Sequence, residues 1–155
     1  MLFRSGDLGR LRMAARGTAV GDLDGDGAVD LVVVDLDGPV RVLKNTAAAG
    51  RSWIAVVPSP AADGKTVIGT RVRVTAAERT QSQTYRVSAS YASGSLVPLH
   101  FGLGGAETAD RVEVRWPSGE TQSFENVPAR RTYALAPGGA LGSAGAGIGS
   151  AGNPR

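Results

Sequence analysis

Four aspartates stand close together in the stretch Gly21-Asp22-Leu23-Asp24-Gly25-Asp26-Gly27-Ala28-Val29-Asp30-Leu31. Like charges at this density repel unless a cation sits among them, and hard carboxylate and carbonyl oxygens select Ca²⁺, Mg²⁺ or Mn²⁺ over softer metals. The number of potential ligands and the flexible, glycine-rich loop favour Ca²⁺. Set against the EF-hand pattern, Asp22, Asp24 and Asp26 take positions ~1, ~3 and ~5, Gly27 takes ~6, the Ala28 carbonyl ~7 and Asp30 ~9. The bidentate acid expected at the last position is replaced by Val33. The loop is therefore not an EF-hand, and Asp30 has to complete the coordination. The expected metal ligands are Asp22, Asp24, Asp26, Ala28 and Asp30.

Other chemistry finds little support. There is no cysteine, which excludes disulfides, thiol catalysis and Cys-ligated zinc. His100 is the sole histidine, set between Leu99 and Phe101 in a strand-like run, and no Ser or Asp motif accompanies it as a triad would require. Glu113, Glu120 and Glu125 occupy outward strand and turn positions with nothing to pair them across a cleft. No glycine-rich phosphate loop is present. The formal charge is +3, but only two of the seventeen basic residues are lysine and the arginines are dispersed, so no nucleic-acid partner is expected. No apolar run reaches membrane-spanning length, and Met1 to Gly6 lacks the apolar core of a secretory signal.

The elements that must hold the acidic loop read as strands. From Gly17 to Asn45 the order is strand, carboxylate loop, strand, tight turn at Asp35-Leu36-Asp37-Gly38-Pro39, strand. The continuous apolar run Leu31 to Val34 predicts a strand buried on both faces. A unit of three or four strands cannot bury its own faces and relies on neighbouring repeats, so residues 1–46, with the calcium loop at 22–30, read as a partial propeller blade in a longer array.

From Arg51 onward short strands recur between turn residues, the pattern of an all-β sandwich. Strands are expected at Trp53–Val57, Ile68–Thr75, Thr84–Ser88 (Tyr85 and Val87 inward), Leu96–Leu103 (Val97, Leu99 and Phe101 inward), Arg111–Trp116, Thr121–Phe124 and Arg131–Leu135. That is a sandwich of roughly seven antiparallel strands over residues 47–136. Beyond Pro137 the chain is nearly all Gly, Ala and Ser, and 137–155 reads as a disordered, flexible tail. Trp116 shares a face with Val112 and Val114 and belongs to the core, whereas Trp53 and Tyr91 are candidates for a sugar-contacting surface.

The acidic loop resembles the calcium loop of FG-GAP/VCBS-type repeats, as in the β-propellers of integrin α-subunits. Tyr91-Ala92-Ser93, Leu99-His100-Phe101-Gly102-Leu103-Gly104 and Val112-Glu113-Val114-Arg115-Trp116-Pro117-Ser118-Gly119 resemble the ASPIC/UnbV domain over about residues 50–136, the domain that ends the cartilage acidic protein family and many bacterial relatives. The resemblance implies a secreted or surface protein with a calcium-binding propeller followed by a β-domain. It also carries Asp22, Asp24, Asp26 and Asp30 over as calcium ligands.

The functional expectation is a non-enzymatic, calcium-binding extracellular β-module for surface or matrix interaction, with Ca²⁺ in a structural role. The alternative is a carbohydrate-binding accessory domain of a secreted protein with Tyr91 at its site. The expected partners are an extracellular protein or glycan and the rest of a propeller in the parent chain, and the expected location is secreted, cell-surface or periplasmic.

Overall fold

The computed structural model describes residues 9, 11–48, 50–60, 64, 66–90, 93–94 and 97–143, and it is all-β, with no α-helix among them. The chain divides into two compact units, Met1–Ala49 and Gly50–Arg155.

The first unit is a three-stranded antiparallel meander of β1 (Ala15–Gly21), β2 (Asp30–Asp35) and β3 (Arg41–Leu43) in that order. The pairing Val20↔Leu31 and Gly21↔Asp30 brings the end of β1 against the start of β2, so the acidic loop is the connection between them. Burial on both faces of β2 is not found. Val33 is buried, but Val34 is exposed and Val42, on the same face, is 63% exposed. The apolar run is real, but among the described residues of this unit no second layer covers the face carrying Val32, Val34 and Val42.

The second unit contains two four-stranded sheets. One orders β11 (Thr121–Pro128), β10 (Thr108–Arg115), β5 (Arg71–Ala76) and β6 (Arg79–Thr84). The other orders β13 (Gly142–Ser143), β12 (Arg131–Leu135), β4 (Ser52–Pro58) and β9 (Leu99–Gly104), and β7 (Ser88–Ser90) with β8 (Ser93–Gly94) forms a small separate ribbon. Alternation along each strand sends one apolar set inward. Val72, Val74, Val112 and Val114 from the first sheet and Ile54, Val56, Phe101 and Leu135 from the second join one core, which also takes in Trp116. Two four-stranded faces sharing one core make a β-sandwich, and no closed barrel forms.

Several strands differ from expectation. β12 runs parallel to β4, with Arg131 opposite Ile54 and Leu135 opposite Pro58, so the sandwich is not purely antiparallel. The strand expected at Thr84–Ser88 lies instead at Arg79–Thr84. Its polar sequence gives no apolar signal, because it is an edge strand held by backbone pairing to β5 and by its glutamines. Gln81 Nε2 donates to the Gly102 carbonyl at 2.7 Å and Gln83 Nε2 to the His100 carbonyl at 2.6 Å, covering the otherwise open edge of β9. Tyr85 is buried as expected, but Val87 and Val97 are exposed.

The expected tail begins too early, since Gly142 and Ser143 pair with Ala134 and Tyr133. Gln122 Nε2 donates to the Gly139 carbonyl at 2.8 Å, and Leu141 packs on the core. This strand pairing, the Gln122 side-chain bond and one leucine offset the ordering cost of a glycine-rich turn. The rest of the expected tail, 144–155, lies outside the described residues, as does Tyr91.

Candidate metal centre

β1 and β2 hold the acidic loop by its two ends, and the loop then folds around its own carboxylates. Gly25 and Gly27 adopt φ of 78° and 85°, a left-handed conformation that only glycine enters without strain. Those two turns aim successive N–H groups at the aspartates. Gly25 N donates to Asp22 Oδ1 at 2.8 Å and Gly27 N to Asp22 Oδ2 at 2.9 Å. Asp26 N donates to Asp24 Oδ1 at 3.2 Å, and Ala28 N donates to Asp26 Oδ1 at 2.8 Å. A carboxylate oxygen that accepts one N–H keeps a lone pair for a cation.

Asp30 is the buried member, 3% exposed, and it braces the loop from below. Its Oδ2 accepts the Leu23 N–H at 3.1 Å and its Oδ1 accepts the Asn45 N–H at 2.8 Å. Asn45 Nδ2 in turn donates to the Val29 carbonyl at 3.2 Å, so the second residue after β3 clamps the entry to β2.

Three of the expected ligands converge: carboxylate oxygens of Asp22, Asp24 and Asp30 lie within 4.8 Å of one another. Two oxygens bound to one cation of calcium's size stand no more than about 5 Å apart, so the three carboxylates are close enough together to share one ion. Asp26 is not a member of this trio. Its carboxylate faces Lys44, whose Nζ lies 3.1 Å from Asp26 Oδ2 and is also hydrogen-bonded to Asp24 Oδ2. The Ala28 N–H bond holds the Asp26 carboxyl below its usual range, with Lys44 adding to the effect, and the two aspartates hold the Lys44 ammonium well above the usual amine range. Ala28 is almost fully buried.

Lys44 is the partner of the acidic loop that the sequence pattern did not point to. It supplies part of the positive charge that the spacing of the aspartates demands. The available signal was its position directly after β3, the strand that returns alongside β2 toward the loop.

The second unit offers no comparable carboxylate trio among the described residues. His100 stacks on Trp53 with ring centroids 5.5 Å apart and planes 17° from parallel. Trp116 is buried, and its indole N–H donates to Gln122 Oε1. Glu113 is taken up by two arginines, with Arg111 at 3.4 Å and Arg73 at 3.9 Å. The hairpin between β10 and β11 closes through Trp116 N to the Glu120 carbonyl at 2.9 Å, with Gly119 at φ 91° in the turn. Comparison with family models places a match to ASPIC and UnbV on residues 61–142.

The chain belongs to the ASPIC and UnbV family. The match runs from before β5 to the first residue of β13, covering the whole of one sheet and, in the other, β9 and β12. It begins after β4, yet β4 pairs with both β9 and β12, so the ASPIC and UnbV fold in this chain needs a strand upstream of the matched region. No curated protein matches the chain.

Proposed function

We propose that the chain is a non-enzymatic β-module of a secreted or surface-exposed protein, in which a structural Ca²⁺ organises an FG-GAP/VCBS-like repeat ahead of the ASPIC and UnbV domain. The observation that carries this reading is the convergence of Asp22, Asp24 and Asp30 oxygens within 4.8 Å in a glycine-turned loop between two strands. Those three would hold the ion, with Asp26 and the Ala28 carbonyl completing the set once Lys44 withdraws. The bound ion would neutralise the aspartates and fix the β1–β2 connection, which is a structural task and not a catalytic one. The loop lacks the terminal bidentate acid of a sensor site, so weak affinity, on the order of 10⁻⁴–10⁻³ M, suits a protein outside the cell.

The test is thermal unfolding of chelated protein with and without millimolar Ca²⁺. Stability of the first unit should rise with Ca²⁺ and fail to rise in the Asp24→Ala, Asp26→Ala double variant. An unchanged melting profile in the wild type would refute the reading.

A further inference from the structure

The outer face of the β11-β10-β5-β6 sheet carries four arginines, Arg71, Arg73, Arg111 and Arg115, among small hydroxyl side chains and two carboxylates, Glu113 and Glu125, the latter opposite Arg111. The register sets them in rungs across the strands. In one rung Ser82, Arg73, Glu113 and Ser123 lie side by side. There the Glu113 carboxylate is shared by Arg73 and by Arg111 of the next rung, at 3.9 and 3.4 Å, and Arg111 Nε also donates to Ser123 Oγ at 3.0 Å.

The rung beside it reads Thr84, Arg71, Arg115 and Thr121. Here Arg71 and Arg115 are direct partners across the two strands, both exposed, and neither guanidinium makes an ion pair or hydrogen bond among the described residues. Like charges opposed across strands, with Cβ atoms about 5 Å apart, are destabilising. A face that neutralises one rung with an internal carboxylate and leaves the next rung doubly cationic is complementary to a carboxylate supplied from outside.

We propose that the Arg71–Arg115 rung is a docking site for a carboxylated polysaccharide, whose uronate group takes the place at this rung that Glu113 takes at the neighbouring one. The planar carboxylate matches the guanidinium fork. Thr84, Thr121, Ser82 and Ser123 flank it with the donors and acceptors that sugar hydroxyls require. The face presents no aromatic ring on which a nucleic-acid base would stack, and its basic pair is local where a phosphate backbone needs an extended stripe. The proposal rests on the interaction-module part of the function above and not on its calcium part.

The experiment measures binding of the full chain to polygalacturonate, dextran sulfate, neutral dextran and single-stranded DNA. EDTA is present throughout, which removes calcium crosslinks from the polymer and any ion from the acidic loop. Polygalacturonate should bind and neutral dextran should not. Arg71→Gln with Arg115→Gln should weaken binding at least about tenfold and flatten its dependence on salt, while Arg12→Gln with Arg16→Gln, an equal loss of charge in the first unit, should leave it unchanged.

The melting temperature of the Arg71→Gln, Arg115→Gln variant should hold or rise, because a repulsion has been removed. A fall would show that the arginine stems are structural and would overturn the assignment. So would equal binding by both double variants, stronger binding of DNA or dextran sulfate than of polygalacturonate, or binding of none of the polymers. Success in EDTA leaves the calcium reading to its own assay, so the two fail separately.

Discussion

Replacing Asp30 by alanine should strongly destabilise the first unit while sparing the second. The side chain is 3% exposed and accepts two backbone N–H groups, from Leu23 at 3.1 Å and Asn45 at 2.8 Å. A hydrogen bond to a charged group contributes about 1.5–3 kcal/mol, and both bonds are only partly buried, so the low end applies and the pair is worth about 3 kcal/mol. A unit the size of Met1–Ala49 has a total stability of roughly 2–7 kcal/mol at typical values per residue. The substitution therefore removes around half or more of what holds the meander.

Amide hydrogen exchange on the full chain reads this residue by residue. Exchange at Val32, in the central strand β2, should accelerate about a hundredfold, at 1.4 kcal/mol per factor of ten. Val112 in β10 should not change. Asp30→Asn, which keeps one carbonyl acceptor, should fall between. Less than about threefold acceleration at Val32, or an equal change at Val112, would refute the assignment of Asp30 as the brace of the loop.

Lys44→Gln removes the ammonium that occupies Asp24 and Asp26, so calorimetric titration should show Ca²⁺ binding severalfold more tightly, with the difference shrinking as salt rises. Asp26 is held below its ordinary value of 3.8, so its contribution to stability is present above that pH and lost as the pH falls through the lower folded-state value. Lys44 is held above its ordinary 10.5, so its contribution is present below that pH and lost only as the pH rises through the higher folded-state value. Exchange protection of β2 without Ca²⁺ should therefore be flat from about pH 5 to about pH 10 once corrected for intrinsic rates, and should fall in acid. Phe101→Ala, at a fully buried core position, should cost the second unit about 3–5 kcal/mol in urea unfolding and leave the first unit's exchange unaltered.

The sequence makes strands legible where apolar residues alternate. Arg131–Leu135 is found with the bounds expected, Tyr133 and Leu135 inward, and Val112, Val114 and Trp116 share a buried face. It makes the β1–β2 connection legible because a run of aspartates and glycines between two apolar segments marks a turn. What it hides follows from physics that pattern does not carry. β6 is polar throughout, since an edge strand is held by backbone pairing and needs no apolar face. The parallel register of β12 on β4 joins segments nearly eighty residues apart, and nothing local encodes it. Lys44 reaches Asp24 and Asp26 from about twenty positions downstream, a partnership that appears only when β3 folds back along β2. Val34 reads as core because an apolar run shows what a strand can bury, not whether a second layer is there to bury it.

The parallel pairing of β4 with β12 also decides how the second unit would meet a pulling force. These are its first and last long strands, and as parallel neighbours they run in the same direction, so the start of β4 and the end of β12 lie at opposite ends of the sandwich. Tension applied through the two flanks would first peel the two-residue pairing of β13. It would then load the rungs from Arg131↔Ile54 to Leu135↔Pro58 together, in shear, where antiparallel neighbours would open one rung at a time. A domain wired in this way extends little until the whole ladder fails at once.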